Sequence, residues 1–434
     1  MAENPRITIA SETLRHLRSQ EWAAAGDVLR HEGLKKGVET SLFLAGRSEL
    51  GRAALSNLAG PVVNDPRLAT YVSTLELPGP IGIAPGWDKT GKTLHAWQAA
   101  GAHHVTVGGI TCFPQPGNPM PRLRTMDRLI GDHGTHISLN AFGFWNPGAD
   151  KVAYNIQQQR EKGEITLPVI AQMTLNKEFY ETDNLDLVHR LVSMTIRKVL
   201  PVADAINLGL SSPNTKGMRE AQSGGSKDDE FIMRIAAAAR DEVSRVDRYV
   251  PIIFKGDGDG GEARLEYYCK WVEWREEYLD AFELINTTAL PHIKARYGMT
   301  PEIPGGLAGA DAEYQQLALD AVKYVYEAVG DRVDIIATGG CDSGEQALKM
   351  LEHGGSAIGV NTAIRSLGLR MPRVIERDLL GLIAQKYPDA DALDQVVGAD
   401  TRRGPKHLTR EKVTDKAANA ARRIAAGTQG DLRK

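Results

Sequence analysis

Through the middle three quarters of this 434-residue chain, short apolar runs alternate with helix-length amphipathic segments. Eight such runs stand at 81–85, 103–108, 169–174, 205–210, 251–256, 282–287, 333–339 and 357–362. Between them lie segments of helical period, among them 91–100, 184–200, 228–246, 262–278, 311–329 and 343–352. Runs that are apolar on both faces and joined by helices specify a parallel sheet buried on both sides. Eight units in about 290 residues fit a closed (β/α)8 TIM barrel, whose reactive groups lie at the C-terminal strand ends. The count rests on placing the third strand at 169–174, which leaves 137–139 inside a long insertion. A doubly wound open sheet is the rival. It would carry a G-x-G-x-x-G turn after its first strand, and here that turn reads Ala84-Pro85-Gly86-Trp87-Asp88-Lys89.

Three segments are expected: an N-terminal helical extension over 1–75, the barrel over 76–386 and a basic C-terminal tail over 387–434. In the extension, Ser11 suits the cap of a helix bearing Leu14, Leu17 and Trp22, and a second apolar group follows at Val38, Leu42, Phe43 and Leu44. From Thr401 onward ten Lys/Arg face three Asp/Glu, so the tail carries +7 and the rest of the chain −10. The bland reading of that tail is a solvated, partly helical extension. A net charge of −3 argues against a general polyanion binder, and no nucleic-acid partner is expected. Three separated cysteines, Cys112, Cys269 and Cys341, form neither a disulfide framework nor a Cys-only metal site, as suits a reducing compartment. Residues 1–10 carry charges and a proline where a secretory signal would place its apolar run, so a cytoplasmic protein is expected.

The expected strand ends are rich in amides, lysines, hydroxyls and glycines and poor in acids and histidines. Lys255, between Phe254 and Gly256, stands in a run too apolar for a solvated lysine, and a buried lysine needs an anionic partner. Gly339-Gly340, Gly354-Gly355 and Gly359 near the last two strands would let backbone N–H groups approach a phosphate. A cofactor with a polar ring and a phosphate tail accounts for both sets, and FMN meets that description. No metal site is expected. Asp257-Gly258-Asp259-Gly260 lacks the further ligands of a calcium loop, and His103-His104 stands at the wrong end of a strand with no completing ligands. Ser211-Ser212 lacks the G-x-S-x-G pattern of a hydrolase nucleophile.

Six segments occurring in order resemble the dihydroorotate dehydrogenase family. They are the stretch 82–91, the stretch 117–122, Ser211-Ser212-Pro213-Asn214-Thr215, Lys255, Asn286-Thr287-Thr288 and Gly305-Gly306-Leu307-Ala308-Gly309, and Gly339-Gly340 to Thr362 completes the match. The resemblance covers about residues 70–385. It implies an FMN oxidoreductase acting on a CH–CH group, oxidising dihydroorotate to orotate in pyrimidine biosynthesis by proton abstraction and hydride transfer to flavin N5. Carried over by position, it implies that Ser212 acts as base through a relay, Lys255 faces the flavin N1/O2 side, and Lys89 lies between flavin and substrate. Flavin contacts are implied at Ala84, Gly86, Lys89, Gly109, Gln172, Lys255, Thr287, Gly309, Gly339, Gly340, Asn361 and Thr362. Substrate contacts are implied at Asn140, Gly143, Phe144, Asn146, Asn214, Asn286 and Thr287.

The chain mixes features of the family's classes. Serine at 212 resembles the quinone-linked class, whereas the loop 140–148 resembles the soluble-class pattern with Phe144 in a leucine's place. The family's asparagine three residues before the catalytic position is Gly209 here, with an asparagine only at Asn207. Gln172 replaces a usual asparagine and Asn361 a common tyrosine. Two alternatives therefore stay open: a related flavoenzyme with another substrate, and a catalytically idle flavin- or phosphate-binding barrel. A quinone is a candidate electron acceptor, with peripheral contact at the inner face of a membrane as a candidate location. Oligomeric state is open.

Overall fold

The computed structural model describes residues 34–406 and Ala418, apart from 121, 126–136, 181, 212–225, 276–277 and 300–304. Its strands are β1 (Thr70–Val72), β2 (Leu75–Leu77), β3 (Ile81–Ile83), β4 (Val105–Ile110), β5 (Leu123–Thr125), β6 (Ser138–Asn140) and β7 (Val169–Met173). They continue with β8 (Ala205–Gly209), β9 (Ile252–Lys255), β10 (Ala281–Leu284), β11 (Gly306–Ala308), β12 (Asp334–Thr338) and β13 (Ala357–Val360). Strands β3, β4, β7, β8, β9, β10, β12 and β13 close into one parallel barrel in chain order. These are the eight apolar runs read from the sequence. The third is the one at Val169, while the leftover run at 137–139 joins β6, the centre of a separate antiparallel sheet of order β11-β6-β5.

Every residue of β7 and β8 is buried, as a strand covered on both faces requires. Outward-facing side chains pack on the helices. Inward-facing Ile170, Ala205, Ile253, Ala281, Ile336 and Ala357 form a second apolar cluster with Val72 and Leu77. The β1–β2 hairpin therefore plugs the N-terminal end of the barrel, and the expected boundary at 75/76 cuts through it. Two further helices precede it, α1 (Leu34–Gly46) and α2 (Glu49–Ala59). Leu42, Leu55 and Ala59 bury into the main core. Arg373 ties α2 to the barrel, donating to Ser56 O at 2.7 Å and to Ala99 O at 2.9 Å. The helix expected after Ser11 lies outside the described residues.

The first part of the basic tail expected over 387–434 packs against the barrel. Leu393, Val396 and Val397 recur at helical spacing and are buried, and Gly398 N donates to Leu351 O at 2.8 Å. At the end of this segment Lys406 pairs with the Asp334 carboxylate, both side chains being at most 2% exposed. Asp334 also accepts from Ser73 N at 2.6 Å, so one carboxylate ties hairpin, barrel and C-terminal segment together. Removing one partner of a buried pair leaves an uncompensated charge, costing about 3–5 kcal/mol. Lys406→Ala is therefore expected to lower the unfolding free energy in urea titrations by about that amount, whereas an unchanged midpoint would show that the pair carries no stability.

Candidate active site

At the C-terminal mouth of the barrel lies an open cavity that continues into a second, smaller one. Pro85, Gly86, Asn140, Phe142, Lys255, Asn286 and Thr287 border both. Among the implied flavin contacts, Ala84, Gly309, Gly339, Gly340, Asn361 and Thr362 border the larger part, and Lys89, Gly109 and Gln172 the smaller. Gly143 and Phe144 also border the smaller part. Ser212 and Asn214 lie outside the described residues. Ser211, just before them, is buried, and Asn286 Nδ2 donates to its carbonyl and hydroxyl oxygens at 3.0 and 3.1 Å.

Asn146 does not reach the cavity. Its Nδ2 donates to Thr111 Oγ1 at 2.7 Å and Phe144 O at 2.8 Å, and its Oδ1 accepts from Gly148 N at 2.8 Å. Its amide thus holds the loop that presents Phe144. That residue adopts a φ of +57°, uncommon for a non-glycine residue, with its ring stacked 6.4 Å from Tyr180. Gly354-Gly355 is displaced too: it follows a helix ending at Glu352 and precedes β13, at the opposite end of the barrel from the cavity. The loop at Asp257–Asp259 is internally bonded, with Asp257 pairing Arg264 at 3.0 Å and Asp259 accepting from Ala289 N at 2.7 Å.

Asp88 organises the first strand end. Its carboxylate accepts from Gly91 N at 2.7 Å, Thr93 N at 2.8 Å and Thr93 Oγ1 at 2.8 Å, folding a turn that presents Lys89. Burial, then the nearby charge of Lys35, pushes the Lys89 ammonium down to about 7. Lys89, Lys35 and Arg122 stand 5.1, 5.6 and 5.7 Å from the Phe142 ring centroid, so cations converge on this side of the cavity. A site lined this way favours an anionic ligand.

Gly209 and Gln172 form a matched pair of departures. A Cβ at 209 would lie 3.0 Å from Gln172 Cγ and Cδ, so the longer amide occupies the space a side chain at 209 would need. Asn207 does not stand in for the missing asparagine, because its side chain is fully buried and bonds Glu283. Sequence reasoning missed Lys35, Phe142, Tyr314 and Arg365, all of which border the cavity. Phe142 lay within the loop already singled out. Lys35 carried no signal, since it belongs to α1 and meets the site only by folding, donating to Trp87 O at 2.9 Å.

Residues fit for a phosphate tail border the larger part, and residues fit for a polar ring border its junction with the smaller part. Gly339 and Gly340 have φ of +117° and +76°, and a Cβ on Gly340 would lie 2.9 Å from Gly309 O, so these loops approach each other as only glycines permit. Arg365 borders the same end. Lys255, Gln172, Asn286 and Thr287 supply the donors and acceptors a heterocycle needs. The donor set thus fits a flavin nucleotide.

The family model described as dihydroorotate dehydrogenase matches residues 67–383. Among curated relatives, a dihydroorotate dehydrogenase (quinone) of Bradyrhizobium diazoefficiens is 31% identical over 340 residues, covering 78% of this chain and 87% of the relative. Another of Mycobacterium tuberculosis is 30% identical over 356 residues, covering 82% and 90%. The crystal structure of ligand-free DHODH from Eimeria tenella superposes with a TM-score of 0.67 at 25% identity, covering 82% of this chain and 99% of that one. With a match that runs from the barrel's N-terminal plug to its last helix, this chain belongs to the dihydroorotate dehydrogenase family.

Proposed function

We propose that this chain oxidises dihydroorotate to orotate with bound FMN and delivers the electrons to a quinone. The observation that carries this reading is the convergence of Lys89, Lys255, Gln172, Asn286 and Thr287 on one space that continues into the Gly309, Gly339 and Gly340 cradle. When bound, FMN supplies the acceptor for the hydride that leaves the substrate. Gly309, Gly339, Gly340 and Thr362 would hold its phosphate, and Ala84, Gly86, Gly109, Gln172, Lys255, Thr287 and Asn361 its ring. Asn140, Gly143, Phe144, Asn214, Asn286 and Thr287 would hold the substrate.

Ser212 is assigned the proton. A serine hydroxyl is a weak base unaided, so its Oγ passes the proton to a relay as the C–H bond breaks. Asn286 holds Ser211, the residue before Ser212 in the chain, through the carbonyl and hydroxyl oxygens of Ser211. Lys89 Nζ, desolvated beside other cations, gains a partner in the substrate carboxylate, and its protonated form is the one that binds. Two features support a quinone acceptor. The curated relatives described above bear that acceptor in their names. In addition, α1, α2 and the residues after them expose Leu44, Leu50, Leu58 and Val62, each at least 60% accessible. These exposed apolar side chains suit peripheral contact with a membrane holding an apolar acceptor. Among the described residues no helix is long and apolar enough to cross a membrane.

Two measurements test the reading. Purified protein should be yellow and bleach anaerobically with dihydroorotate. Ser212→Ala should keep its flavin and slow that bleaching by about 100-fold or more, the usual scale for a lost general base. Flavin that stays oxidised with dihydroorotate but bleaches with another activated C–H compound would point to an altered substrate. Colourless protein that cannot be loaded with FMN would leave an idle barrel.

Lys89 gives the pH dependence. Its free-state value of about 7 means that the cation is present below that pH and lost above it. Orotate affinity, read by the perturbation of flavin absorbance, should be level below pH 7 and fall above it, approaching about tenfold per pH unit. Lys89→Met should bind weakly at all pH values and flatten the profile.

A further inference from the structure

Beneath the cavity floor, four barrel side chains form a continuous polar chain. Gln172 Nε2 donates to Asn207 Oδ1 at 3.4 Å, Asn207 Nδ2 donates to Glu283 Oε2 at 2.5 Å, and Lys255 Nζ donates to Glu283 Oε1 at 2.7 Å. The strand register sets Glu283 directly beside Lys255 and Asn207 directly beside Gln172. Lys255 and Gln172 border the cavity, whereas Glu283 and Asn207 lie below it. Glu283 is 1% exposed and Asn207 fully buried, so this carboxylate's charge is balanced inside the protein rather than by solvent.

We propose that Glu283 is a positioning residue that lowers the reduction potential of the bound flavin. This inference rests on the flavin reading above and adds a determinant to it. A hydride arriving at the ring brings two electrons and one proton and leaves one negative charge on it. A bare ammonium at Lys255 would strongly favour that charge. Glu283 offsets the ammonium at 2.7 Å, and through Asn207 it also fixes where the ammonium sits. The pair presents a dipole to the ring in place of a full positive charge. Electrons then leave more readily for an acceptor, at some expense in the drive to take them from the substrate. Glu283 itself exchanges neither electrons nor protons in the reaction.

The test uses flavin-loaded enzyme. Glu283→Gln keeps the side chain's size and an oxygen for Lys255 but removes the charge. At a fixed solution potential its ratio of two-electron-reduced to oxidised flavin should rise about tenfold or more, equivalent to about 30 mV for a two-electron couple. Its affinity for sulfite, which adds at flavin N5 and responds to positive charge near the ring, should rise by a similar factor. Glu283→Asp, which keeps the charge, should stay near the parent in both readings. If Glu283→Gln gives no soluble protein, the double variant Glu283→Leu/Asn207→Leu, which removes both buried partners and leaves Lys255 facing the cavity, should show the same rise. A potential and sulfite affinity within about twofold of the parent in either variant would overturn the inference while leaving the flavin reading intact. Unsubstituted protein that cannot be loaded with flavin at all would overturn both.

Discussion

Closing eight parallel strands into a ring directs alternate side chains into an interior that excludes bulk water, and each polar group placed there must find its partner within the ring. The chain meets this constraint in layers. Toward the N-terminal end the interior is apolar and sealed by the β1–β2 hairpin through Val72 and Leu77. Higher up it turns polar, and Gln172, Asn207, Glu283 and Lys255 satisfy one another across β7, β8, β10 and β9. The cavity rests on this layer. Its floor is therefore fixed by strand register, and only its walls are built from loops, a division of labour that favours accurate placement of a rigid ring.

The walls owe their shape to side chains that never touch the cavity or touch it only in part. Asp88 folds the turn bearing Lys89, Asn146 folds the loop bearing Phe144, and Asn286 grips Ser211 ahead of Ser212. Each is an amide or carboxylate with several backbone partners. The same residues would read as ligand contacts in any scheme that assigned function to polar residues after strand ends. The family resemblance implied a substrate contact at Asn146, and its hydrogen bonds to Thr111, Phe144 and Gly148 speak for a supporting role.

The barrel was legible because strands covered on both faces leave unbroken apolar runs, and the third strand could be separated from the run at 137–139 by counting units. Loop motifs marked the cavity because positive φ and close backbone approach require glycine at Gly339 and Gly340 whatever the rest of the chain does. Elements built on distant contacts were not legible. The hairpin strands are three residues each, too short for a period to show. The segment 387–406 reads as the start of a basic tail until Lys406 is seen to meet Asp334, 72 positions earlier in the chain. Glu283 sat unremarked inside a run assigned to a strand, since nothing local says that its partner is a lysine on the neighbouring strand. Lys35 likewise reaches Trp87 only through the docking of α1.

Two charge patterns meet at this site. Cations gather around Phe142 on the side assigned to an anionic substrate, whereas Lys255, the cation assigned to the flavin, is offset by the Glu283 carboxylate. Such a division would let substrate affinity and flavin energetics vary independently. The most direct measurement is a crystal structure of the FMN-loaded protein. The account predicts the isoalloxazine in the cavity with Lys255 Nζ about 3 Å from its N1/O2 edge and the phosphate against Gly339, Gly340 and Thr362. A flavin bound elsewhere, or one whose ring lies out of reach of Lys255, would contradict it.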